Sequence, residues 1–374
     1  MSLLARNART KVTDIRLERI AGKARVCALV DGVRLWYSCN NRELSASPEA
    51  FGSLLLLPSM HKRRGLSIGE PVSEAWRDNA NGLSRIWSGW WGYPPIALDV
   101  PTRPNDSARR ESNALAFSCG VDSFHTLLYG PKPDLLVAVH GFDVPLADEY
   151  RMLAYSGSVE AIAAETGIDW TIVRTNLREH PSMGRPWLWE RAHGGALASV
   201  GHVLSDSIGR LTISSTYSAD NAQPWGSTNE TDPLFSSDRV AIEHAGNDTH
   251  REVKIRRIAE NPLAQKHLRV CWANRSKSGN CSQCGKCLVT MLLLAELGAL
   301  DSFEVFANAS SLPAALDALP YIATQVNITD RIVNRGKLPP NVTDAARRLV
   351  ARSRRTAKLH KLRRRLREVV ASRA

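Results

Sequence analysis

ALAFSCGVDSFHTLL, residues 114–128, decides the fold. An apolar run ends at Ser118, a polar turn follows, and an apolar run with helical spacing restarts at Ser123. A hydrophobic core needs no such interruption, whereas a loop that wraps an anion does. Gly120 permits the dihedrals of a turn whose amides converge on one point. The helix that follows brings its free N–H groups and partial positive charge to the same place. Ser118 and Ser123 add hydroxyl donors. Asp122 would repel a bare phosphate, but it suits one that arrives with Mg²⁺. The plainer alternative is an ordinary helix start capped by Asp or Ser.

Outward from this turn, short apolar runs alternate with helical patterns. NALAFS leads into the turn, and Gly130 marks the end of the helix after it. DLLVAVHGFD (134–143), DWTIVRTNL and RLTISSTYS are further strands. SVEAIAAETGI and WERAHGGALASVGHVLSDSI are the helices between them. Uniformly apolar strands alternating with helices predict an α/β fold with a doubly wound parallel sheet, covered on both faces. Ligands of such sheets lie at the carboxyl ends of the strands. The Ser118–Ser123 turn falls at one such end, and Asp143 of HGFD at another, which makes Asp143 a candidate substrate contact. His193 of HGG is a second candidate, with an ordinary polar role near a helix start as its alternative. Lys254, in HREVKIRRIAE, stands where a cation could meet phosphate, or else on a solvated helix face. His125 reads as packing.

Residues 1–108 read as a small β-rich module, with substrate recognition as a role inferred only from its position. ARVCALVDGVRLWYSCN carries a hairpin signal at Asp31-Gly32. SEAWRDNANGLSRIWSGWWGYPP gathers four of the ten Trp, read as a seam between modules or as a ligand pocket. PTRPNDSARRES (101–112) reads as a linker. The main domain is then expected over 109–310 and a helical region over 311–374. Of the net charge of +12, all but about +1 lies in 347–374, where twelve Arg or Lys face one Glu. The body is nearly neutral, so the charge says nothing of a nucleic-acid role for the central domain. Leu349, Leu359, Leu362, Leu366 and Val369 recur at helical spacing after a cap at Thr343 or Asp344. This is a basic amphipathic helix, suited to an anionic partner or simply docked with its charges solvated. No window has the length and apolarity of a membrane span, and no secretory signal opens the chain. A soluble cytoplasmic protein is expected, and a homo-oligomer is left open.

Two phosphate-loop patterns are absent. GNCSQCGKC has five residues between Gly279 and Gly285 where the Walker pattern needs four, with Cys287 in place of Ser or Thr, and no GxGxxG follows a strand. That same stretch, RVCWANRSKSGNCSQCGKC, instead sets Cys271, Cys281, Cys284 and Cys287 at intervals suited to one tetrahedral thiolate site. Four protein ligands leave no open position, so a Zn²⁺ here would be structural. An iron–sulfur cluster is the competitor, disfavoured because no adjacent fourth Cys followed by Pro is present.

FSCGVDS resembles the SGGxDS loop of the PP-loop ATP pyrophosphatases, whose fold is HUP-like. These enzymes split ATP between its α and β phosphates and transfer AMP to a carbonyl-type oxygen, which nitrogen or sulfur then displaces. The resemblance implies ATP contacts for Ser118, Gly120, Asp122 and Ser123. Cys119 replaces the first Gly of the pattern, either as a tolerated small side chain or as a reactive thiol with its pKa lowered by the helix N-terminus. The late cysteine order is similar to that of 7-cyano-7-deazaguanine synthases, which adenylate a carboxylate, form an amide with ammonia and convert it to a nitrile. The similarity spans about residues 113–300 and does not cover the N-terminal module or the basic tail. It implies ATP, Mg²⁺ and Zn²⁺ as cofactors, and a small, purine-like acceptor given nitrogen. Asp122, Cys119 and Lys254 are the candidate catalytic residues. Two alternatives stay open: sulfur transfer through the same adenylate, with Cys119 as sulfur carrier, and a zinc-containing nucleic-acid-binding protein that uses the basic tail.

Overall fold

The computed structural model describes residues 8–20, 22–106, 109–277, 279–322 and 325–371, with the backbone alone at 186 and 360–371. The chain divides into two compact units. One comprises residues 1–118 and 122–251, the other 119–121 and 252–374.

The first unit runs β1 (Arg9–Ile20), β2 (Lys23–Val30), β3 (Val33–Cys39), α1 (Pro48–His61), β4 (Gly65–Ile68), β5 (Val72–Ser73), α2 (Glu74–Trp91), β6 (Leu98–Asp99), β7 (Thr102–Arg103) and β8 (Asn113–Ala116). It continues through α3 (Val121–Tyr129), β9 (Leu135–His140), α4 (Glu149–Thr166), β10 (Asp169–Thr175), α5 (Pro186–Val203), β11 (Arg210–Ser214) and β12 (Ala241–Ala245). Among the described residues ten strands form one sheet, in the order β12-β11-β8-β9-β10-β3-β2-β1-β4-β6. The half from β12 to β10 is entirely parallel. Its chain order departs from β8 in both directions, first to β9 and β10, then back past β8 to β11 and β12. The carboxyl ends of β8 and β11 are therefore a topological switch point, where such sheets open a crevice.

Pleating explains why β9 is apolar from Leu135 to Val139, since it is covered on both faces. Leu135, Val137 and Val139 join the large core cluster with α1 and α5, while Leu136 and Ala138 point away from it. Phe117, just after β8, meets Phe124 of α3 edge-on at 5.4 Å. α1, PEAFGSLLLLPSMH, is buried from Glu49 to Met60, which accounts for SLLLLP without a membrane. No helix among the described residues is long and apolar enough to cross one.

The hairpin at Asp31-Gly32 forms as expected, both residues having positive φ (50° and 81°), as this tight turn requires. Its strands continue the main sheet, because β3 pairs antiparallel with β10 through Val173 and Cys39. The boundary expected near residue 108 thus falls inside the first unit. Trp76 and Trp87 of α2 are core residues. Trp91, Tyr93 and Trp187 surround the Arg191 guanidinium at 5.1–5.7 Å, so these ring faces are taken up by a cation of the chain itself.

The second unit is helical, with α6 (Arg251–Ile258) at its start, then α7 (Pro262–His267), α8 (Gly285–Glu296), α9 (Leu312–Ala318), α10 (Val326–Asn334) and α11 (Pro340–Ala371). α11 begins at Pro340 rather than at the expected cap near Thr343. Proline suits the first helical position because its missing N–H would have no partner there. Leu349 is buried as expected and Leu359 is exposed. The side chains of Leu362, Leu366 and Val369 lie outside the described residues. Part of the basic tail is used internally. Arg348 pairs with Asp317 at 2.6 Å and Arg354 with Asp330 at 2.7 Å, while Arg352 donates to the Leu316, Asp317 and Leu319 carbonyls that end α9.

Candidate active site and metal centre

The loop after β8 opens at the switch point. Its ends are stitched together: the Ser118 amide and hydroxyl each lie 3.4 Å from Ser123 Oγ. Tyr155 of α4 donates to the Phe117 carbonyl at 2.5 Å. Asp122, in the first turn of α3, takes Arg251 Nη1 on its Oδ2 at 2.5 Å. Arg251 lies beside Lys254 in sequence and was not singled out. No motif spacing reveals it, because the fold alone brings residue 251 to residue 122. The pairing gives Asp122 a partner other than a metal ion, and it sets a guanidinium beside the turn.

Cys119 has φ 55°, a left-handed conformation that favours glycine. It is fully buried, and burial pushes its thiol up to about 12, with Arg269 offsetting only part of this. The lowered pKa expected at a helix N-terminus is not found, because loss of solvent outweighs the helix field.

Other carboxyl ends in the first unit contribute further groups. After β9, Gly141 (φ 107°) turns the chain where any Cβ would sit 1.9 Å from the Thr175 carbonyl, and the turn leads to exposed Asp143. After β11, Ser218 meets His250 Nδ1 at 2.9 Å, and His250 Nε2 meets Asp220 at 3.0 Å. His193, on α5, hydrogen-bonds the Trp189 carbonyl at 3.2 Å and stands between the Trp189 and Trp225 rings. Burial lowers its pKa, with the charges of Asp232 and Asp143 opposing. Asp143 and His193 thus come together on one edge. The HGG motif has a packing cause. A Cβ on Gly194 would lie 2.2 Å from the Gly226 carbonyl, and one on Gly195 2.3 Å from that of Ser53.

One candidate reads differently in three dimensions and another as expected. Lys254, in the second unit, is 1% exposed, so it is not on a solvated helix face. His125 is buried against Tyr129, which matches a packing role.

The four late cysteines, all in the second unit, bring their sulfurs within 4.8 Å of one another. Cys284 and Cys287 are 3.4 Å apart, Cys281 and Cys287 4.0 Å. Four sulfurs each about 2.3 Å from a central ion would have this spacing. An iron–sulfur cube would stand between its ligands and hold them farther apart. The local chain explains the convergence. Cys284 is the N-cap of α8 and Cys287 lies in its first turn, while Ser282 takes φ 55° to turn Cys281 back. The Cys284 amide donates to Cys281 Sγ at 3.3 Å. Hydrogen bonding with Cys287, 3.4 Å away, lowers the pKa of the Cys284 thiol. Asn280 ties Cys271 to this knuckle. Its Oδ1 accepts from the Val270 and Cys271 amides at 2.8 and 3.0 Å, and its Nδ2 donates to the Leu268 carbonyl at 2.8 Å. Asn280 was not anticipated from the sequence, though it immediately precedes Cys281. Among the ligands, Cys281 is the partly exposed one and borders a cavity of ≈ 470 Å³ with Arg275, Ser282 and Gln283.

Comparison of the chain with protein-family models, with curated proteins and with solved structures finds no match. The functional reading therefore rests on the site's own chemistry.

Proposed function

We propose that the protein is an ATP-dependent, AMP-forming enzyme that adenylates a carboxylate or carbonyl-type oxygen of a small molecule and installs nitrogen there. The observation that carries this reading is the position of the Ser118–Ser123 turn, at the switch point of a parallel sheet and at the start of a helix. In the proposed reaction the loop amides with the Ser118 and Ser123 hydroxyls hold the β and γ phosphates. Asp122 and Arg251 are the charged pair of the site: the carboxylate would hold the Mg²⁺ that accompanies ATP, and the guanidinium would face phosphate. The acceptor oxygen attacks the α phosphorus, the bond to the bridging oxygen breaks, and pyrophosphate leaves. Nitrogen then displaces AMP. Asp143 and His193 are candidate acceptor contacts. The four-cysteine centre fits a structural Zn²⁺, which would fix the knuckle and take no part in the reaction.

Cys119 weighs against the sulfur-transfer alternative, because a buried thiol pushed up to about 12 is a poor nucleophile at neutral pH. The internal pairing of Arg348, Arg352 and Arg354 leaves less of the tail for nucleic acid. The test is the product of ATP turnover with 7-carboxy-7-deazaguanine and ammonium, for wild type beside Asp122→Ala. AMP and pyrophosphate from wild type alone are expected. ADP and phosphate would refute the reading.

A further inference from the structure

A buried acid–base pair lies on the same sheet edge, on residues that no motif marks. Asp232 is fully buried and accepts three hydrogen bonds: from Ser227 Oγ at 2.6 Å, the Thr228 amide at 3.3 Å and His244 Nδ1 at 2.7 Å. The His244 side chain is itself 3% exposed. Gly194 of α5 packs on the carboxylate, where an added Cβ would come 3.0 Å from Oδ1. Desolvating a carboxylate costs several kcal/mol, and a well-packed apolar pair is often as stable. Here the carboxylate instead fixes an imidazole with its proton on Nδ1, so the lone pair is on Nε2. That Nε2 makes no hydrogen bond among the described residues.

Strand register places this residue near the switch point. Thr212 of β11 stands beside Leu115 of β8 on one side and Glu243 of β12 on the other. His244 is one residue farther toward the carboxyl edge, two strands from β8, or roughly 10 Å at ordinary strand spacing. Within the same neighbourhood lies His193, which feels the Asp232 charge and is walled by Trp189 and Trp225.

Resting on the adenylation reading, we propose that His244 is the catalytic base for nitrogen capture and Asp232 its positioning residue. Ammonium gives one proton to His244 Nε2. The freed lone pair forms the C–N bond at the adenylated carbon as the carbonyl pair moves to oxygen. That pair returns as the C–O bond to AMP breaks, AMP leaves with the bonding pair, and both surplus protons, one on nitrogen and one on His244, go to water. The net products are the amide and AMP.

The test uses wild type, His244→Gln and Asp232→Asn with Mg·ATP and 7-carboxy-7-deazaguanine, and it offers either ammonium or hydroxylamine. Hydroxylamine is uncharged at neutral pH and needs no base before it attacks. The expected result for His244→Gln is hydroxamate formation as in wild type, with amide formation from ammonium reduced about 10²–10⁴-fold. Asp232→Asn should lose about 10–100-fold in the ammonium reaction alone. Each change disturbs a buried hydrogen-bonded pair, so both variants should unfold at a lower temperature than wild type yet stay folded at the assay temperature, as calorimetry would show. Equal amide formation by wild type and His244→Gln would overturn the assignment and leave adenylation standing. Loss of hydroxamate in a folded His244→Gln would also overturn it, because the residue would then act before capture. Wild type that releases no AMP with either nucleophile would instead sink the adenylation reading, and this assignment with it.

Discussion

At Cys119 a side chain occupies a backbone conformation that suits glycine, and it does so fully buried. Cys119→Gly relieves a left-handed strain of about 1 kcal/mol and loses only a small buried thiol. Turnover should therefore persist, with an unfolding temperature close to wild type. A sulfur carrier at this position would make the same variant inactive. Buried and with its pKa raised, the thiol should also resist iodoacetamide in the folded protein at neutral pH, as peptide mapping of alkylated protein would show. The residues of the turn were legible because Ser, Gly, Asp and Ser stand close together in sequence. Arg251 and the Asp232–His244 pair were not, since 129 residues separate Arg251 from Asp122 and only folding makes them neighbours.

Among the elements, β8 to β11 were legible from their apolar runs, but β12, AIEHA, was not. It is short and half-polar, with Glu243 and His244 in place of an apolar repeat. The N-terminal strands were legible as strands, but their place in the main sheet was not. A hairpin pattern is the same whether its outer strand is free or paired, and the pairing of β3 with β10 has no local signal. The cysteine spacing was plain, while the clamp that holds Cys271 to the knuckle was not. Asn280→Ala would strip the buried Val270 and Cys271 amides of their acceptor. About 2–3 kcal/mol of stability should be lost, and metal affinity should fall about 10–100-fold. Competition against a chromophoric zinc chelator measures the second effect, and unchanged affinity would show the clamp to be dispensable.

On the scale of the whole molecule, His61, His140, His180, His193, His202 and His267 all have pKa values lowered by burial. Folding thus keeps them neutral, while the unfolded chain binds protons below about pH 6.5. Their contribution is fully present above that pH and is lost as the pH falls from 6.5 through the lower folded values. The unfolding temperature should be flat from pH 8 to 7 and drop between 6.5 and 5. A rise over that interval in calorimetry would contradict this. Metal removal would act on the helical unit, where Cys284 is the N-cap of α8. Chelation should lower its unfolding transition and release about one Zn²⁺ per chain, as elemental analysis would count.

The central claim is that the turn after β8 activates ATP at its α phosphorus. The most direct measurement follows α-labelled and γ-labelled ATP in parallel with 7-carboxy-7-deazaguanine and ammonium, for wild type and Asp122→Ala. The prediction is label in AMP and in pyrophosphate from wild type, and neither product from the variant. Label in ADP and free phosphate, or equal AMP from both proteins, would contradict it.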